Sequence, residues 1–75
     1  MNHEQEAVMQ AKHRQHTSAL KKAINSNDPK RVMAVASAAI ADFEAVGMWP
    51  DDWAKYERAT EDAQFAINMG RNTLR

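Results

Sequence analysis

The sequence predicts an all-α fold: a small bundle of three helices over residues 5–25, 29–46 and 50–69, in a single domain spanning 1–75. Three observations lead there. Apolar residues recur at three- and four-residue spacing in each segment, the signature of one buried helix face. No stretch of useful length alternates apolar and polar residues, as a half-buried strand would. The helix breakers cluster in two places, Asn25–Pro29 and Gly47–Pro50, and connections that short favour antiparallel neighbours.

Residues 5–25 are rich in Ala, Gln, Lys and Glu and contain neither Gly nor Pro, so helix propensity is high. Met9, His13, His16, Leu20, Ala23 and Ile24 share one face. Few of these are large and apolar, which predicts a loosely docked first half, frayed N-terminal residues and a firmer stretch from Thr17 to Ile24. The run Asn25-Ser26-Asn27-Asp28 ends the helix, because these short polar side chains compete for backbone groups.

Asp28 and Pro29 open the second helix as cap and first-turn residue. Val32, Val35, Ala36, Ala39, Ile40, Phe43 and Val46 form its broad apolar face, with Met33 at the edge, and Gly47 stops it.

Met48–Gly70 holds both tryptophans, the tyrosine and one of the two phenylalanines, and the rest of the chain is organised around it. Pro50 suits the first helical position, and Asp51 and Asp52 would then meet the positive end of the helix dipole. With Trp49 as cap, Met48 and Trp53 have the spacing of a hydrophobic staple; with Asp51 or Asp52 as cap the start moves on by one or two residues. Gly70 marks the far end. Trp53, Tyr56, Ala59, Thr60, Ala63, Ala66 and Ile67 make one stripe, while Phe65 and Met69 fall nearly opposite, beside Ala54 and Arg58.

That second apolar stripe is the main pointer to function. Either the chain wraps far enough to cover it, or Phe65 and Met69 form a contact patch for another protein or a second copy. Aromatic residues and arginine often anchor interfaces, which adds Arg58 and Trp49 to the candidate surface. The expected mechanism is occupancy of a partner's surface by a non-enzymatic adaptor or inhibitor.

Other chemistry is thinly supported. There is no cysteine, so neither disulfides nor thiolate-bound zinc can staple the domain. His13 and His16 sit one turn apart and could chelate a metal with His3, Glu6 or a carboxylate of the last helix. Nothing in the spacing requires a third ligand, and no metal or cofactor is expected. Glu57, Glu61 and Asp62 read as a solvated face on which Arg58 can bridge to Glu61 or Asp62. No serine or threonine lies in a nucleophile elbow, and no glycine-rich phosphate loop is present.

Formal charge is zero but unevenly placed: residues 1–31 carry six basic and three acidic residues, the remainder four and seven. Antiparallel helices pairing opposite signs account for this. A small transcription regulator that touches nucleic acid through Lys12, Arg14, Lys21 and Lys22 is the alternative. The third helix, opening on two aspartates, is a poor recognition helix. The longest mostly apolar run, Val32–Ala41, is too short for a bilayer, and the polar N-terminus is unlike a signal peptide; a soluble cytoplasmic protein is expected.

Trp49-Pro50-Asp51-Asp52-Trp53, followed by Glu57-Arg58-Ala59, Asp62-Ala63 and Phe65-Ala66, resembles the tail of small uncharacterised helical accessory proteins of tailed phages and prophages. The resemblance covers about a third of the chain and brings no active site. It implies a phage-encoded protein that binds one host protein, such as RNA polymerase or a defence component, in the host cytoplasm.

Overall fold

A computed structural model describes the backbone of residues 3–74 and the side chains from Ala7 to Leu74; the expected fraying of the N-terminus falls largely outside them. Within this span the chain forms three helices: α1 (His3–Asn25), α2 (Pro29–Val46) and α3 (Ala54–Asn68). α2 is the central element, packed against both others, in a body of 46 × 19 × 16 Å.

The ends of α2 follow from local chemistry. Asp28 is extended (φ −109°, ψ 107°), and its Oδ1 accepts from the backbone N–H of Lys30 at 3.0 Å and of Arg31 at 3.5 Å. Gly47 adopts φ 75°, a left-handed conformation that costs little without a Cβ, and its N–H donates to Phe43 O at 2.8 Å.

The start of α3 departs from expectation. Pro50–Trp53 is a tight turn outside the helix, held by Trp53 N–H donating to Pro50 O at 3.1 Å and by further three-residue bonds from Lys55 to Asp52 and Tyr56 to Trp53. Asp51 and Asp52 therefore precede the helix. The Asp52 carboxylate accepts from Lys55 Nζ at 2.6 Å, and no side chain caps the backbone. The Met48–Trp53 staple does not form either, because Trp53 itself is the cap residue. Set in the turn, Trp53 is out of phase with the stripe that follows and is 39% exposed. The helix closes as a Schellman motif: Arg71 N–H donates to Ala66 O at 2.9 Å and Gly70 N–H to Ile67 O at 3.0 Å, with Gly70 at φ 72°. The tail then returns to the α1–α2 turn, where Leu74 N–H reaches Asn27 Oδ1 at 2.9 Å.

The core comprises Met9, Leu20 and Ala23 of α1, Val32, Ala36, Ala39 and Phe43 of α2, and Tyr56, Ala59, Ala63 and Ala66 of α3. Six of these eleven are alanines, so the helices approach closely but bury little area per residue. Phe43 is the hub. The rings of His13, His16, Trp49 and Tyr56 all lie with centroids 5.2–5.8 Å from its own. Docking of α1 reaches further back than expected: Met9 is only 3% exposed, packed beside the α2–α3 loop. Ile24 and Val46, assigned to apolar faces from spacing, are exposed instead. Ile24 borders a cleft between α1 and α3, and Val46 is the last residue of its helix.

Candidate functional site

The outward stripe of α3 is built by the inward one. Tyr56, Ala59, Ala63 and Ala66 are buried, which fixes the rotation of the helix and turns Arg58, Asp62, Phe65 and Met69 to solvent. Their spacing of four, three and four residues keeps them in one narrow strip. Phe65 and Met69 are each 60% exposed, so the bundle does not wrap over them. Arg58 and Asp62 are exposed, and among the described residues the ion pairs are His16–Asp42 and Lys55–Asp52. The expected bridges from Arg58 to Glu61 or Asp62 are absent from that set. Asp62, read from sequence as part of a solvated face, is a full member of the strip; its signal was its position one turn from both Arg58 and Phe65.

Two adjoining clefts run beside this strip. One, of about 440 Å³, opens between α1 and α3 and is bordered by Leu20, Ile24, Ala54, Lys55, Arg58 and Ala59. The other, of about 390 Å³, continues past Ile24 and Ala59 to Val32, Ala66, Phe65 and Leu74. Both have apolar floors and charged margins.

The structure does not gather all the sequence-derived candidates. Trp49 sits in the α2–α3 loop, tilted against Phe43, edge-on to Trp53 and bordering a hollow with Met9, Gln10 and His13. Phe65 and Met69 lie towards the opposite end of α3, so Trp49 belongs to a separate patch. The basic residues are divided as well. Arg14 and Lys22 border a shallow cleft with Arg31 of α2, which spacing within α1 could not reveal. Lys21 lies on the other side of α1, beside Thr17, Leu20 and Lys55, and Lys12 is half-buried elsewhere.

The histidines serve the core. His16 Nε2 lies 2.8 Å from Asp42 Oδ2, and both imidazoles meet the Phe43 ring edge-on. His13 Nε2 is buried without a hydrogen-bond partner among the described residues. Among the described residues no three His, Asp or Glu side chains converge as metal ligands, and the side chains of His3 and Glu6 lie outside that set. One carboxylate is electrostatically perturbed: the hydrogen bond from Lys55 holds Asp52 below the usual carboxylate range. No helix of the described residues is long and apolar enough to cross a membrane.

Comparison with known proteins gives no relative: no family model, curated protein or solved structure matches the chain.

Proposed function

We propose that this chain is a non-enzymatic protein-binding module, an adaptor or inhibitor that acts by covering a surface of another protein. The observation that carries this reading is the strip on α3. Two large apolar side chains stand 60% exposed beside an apolar cleft, on a helix whose other face is fully used by the core. Desolvating Phe65 and Met69 would drive association, and Arg58 and Asp62 would set orientation. The resemblance to phage accessory proteins makes a bacterial host protein the candidate target, met in the host cytoplasm. The test is capture from a bacterial lysate with tagged protein, using Phe65→Asp as control. One stoichiometric protein, lost with the variant, is the expected result. Equal capture by both forms would remove Phe65 from the contact surface.

A second reading has its own observation. Arg14, Lys22 and Arg31 converge on one cleft that no carboxylate of the described residues borders, an arrangement suited to phosphates. If this chain regulates transcription by touching nucleic acid, it uses that cleft rather than Lys21. Binding to a DNA duplex would weaken steeply with salt and fall in an Arg14→Glu, Arg31→Glu double variant; salt-independent or unaltered binding would reject it.

A further inference from the structure

We infer that the exposed side of α3 is covered by the α3 of a second copy, packed antiparallel about a twofold axis. This rests on the protein-binding reading of the strip and puts a second copy, in place of a host protein, as what covers it. Among the described residues seven large apolar side chains are exposed, while the buried core holds five large ones and six alanines. A domain this small gains more from covering Phe65 and Met69 than a larger one would.

The pattern of the strip selects the occupant. Arg58, Asp62, Phe65 and Met69 have the four–three–four spacing of a helix–helix seam. In a twofold interface the same patch meets itself, so each charge must find its opposite on an identical surface. Arg58 and Asp62 satisfy that condition: they are one turn apart, opposite in sign and unpaired within the chain among the described residues. An antiparallel register that sets Arg58 against Asp62 of the second copy makes two such pairs. The same register carries Phe65 to the level of the second copy's Lys55. There the cleft between α1 and α3 is open, with Leu20 and Ala59 in its floor. Phe65 and both charge pairs thus fall into place in a single alignment, with Met69 at the level of the second copy's Asp51. A formal net charge of zero removes long-range repulsion between copies.

The test is sedimentation velocity on the full chain from micromolar to millimolar concentration, with circular dichroism to confirm that each variant keeps its helices. The wild type should dimerise. Arg58→Asp and Asp62→Arg each place like charges together twice, and each should weaken self-association about tenfold or more. An equimolar mixture of the two variants regains both opposite-charge contacts and should dimerise as the wild type does. So should the double variant Arg58→Asp, Asp62→Arg by itself. A wild type that stays monomeric, a dimer indifferent to both reversals, or a mixture that fails to recover would each overturn the inference. If the wild type is monomeric while Phe65→Asp still loses a captured protein, the protein-binding reading stands and the second copy alone is rejected.

Discussion

The hydroxyl of Tyr56 on α3 lies 3.0 Å from Oγ1 of Thr17 on α1, and Lys55 Nζ donates to the same oxygen at 3.2 Å. Tyr56 is otherwise wholly buried against Phe43, so this bond satisfies the one polar atom it carries into the core. It also ties together two helices that flank α2 and leave an open cleft between them. Thr17→Val should cost about 1–2 kcal/mol by stranding the Tyr56 hydroxyl. Adding Tyr56→Phe should recover part of the loss. Urea denaturation of the two single variants and the double variant measures this, and additive losses would mean that the bond is not shared.

Phe43 is fully buried and touched by four rings, so its removal leaves a large void in this core. Phe43→Ala should cost about 3–5 kcal/mol, enough to leave a domain of this size largely unfolded at 37 °C. Phe43→Leu keeps most of the volume and should remain folded with a lower midpoint. Thermal melts followed by circular dichroism distinguish the two.

Met9 reports whether the first half of α1 is docked. Its burial predicts that Met9→Ala costs about 2–3 kcal/mol. Amide exchange should also show protection extending back from Leu20 towards Met9. A loss within about 0.5 kcal/mol would mean that this half adds little to stability.

Phe65→Asp and Met69→Ser lie at the other extreme. Both side chains are mostly in water, so each variant should unfold within about 0.5 kcal/mol of the wild type in dilute solution. A large loss in the monomer would place Phe65 in the core and remove it from any contact surface.

The Lys55 hydrogen bond lowers the Asp52 pKa below its reference value of 3.8. A carboxylate whose folded value is depressed contributes stability that is complete above the unfolded value and disappears as pH falls through the folded one. The wild type should therefore exceed Asp52→Asn in stability at neutral pH, by a small margin because the pair is exposed. That margin should vanish as the pH drops below 3.8. A difference that persists in acid would point to a role for Asp52 in the turn itself.

Helix number, order and termini could be read from the chain wherever one residue's own chemistry decides the matter. Asp28 caps, Gly47 turns left-handed and Gly70 closes a Schellman motif; each is a local event in which the side chain, or its absence, sets the backbone. The start of α3 is not decided this way, because Pro50-Asp51-Asp52 is compatible with both a first turn and a preceding tight turn. The contact of Lys55 with Asp52, and of Trp53 with Trp49, belongs to the second.

Three amphipathic helices, their connections and the two-faced character of α3 follow from the chain alone, since periodicity and breakers are properties of neighbouring residues. Which apolar residues are covered depends on how the helices pack. Met9 is buried because the α2–α3 loop packs beside it, Ile24 borders a cleft between α1 and α3, and Phe65 stays in water because no other described helix covers it. The packing also decides that Arg31 joins Arg14 and Lys22, and that Trp49 is remote from Met69. Those relationships are distances between residues far apart in the chain, and they exist only once α2 has set the positions of the helices on either side of it.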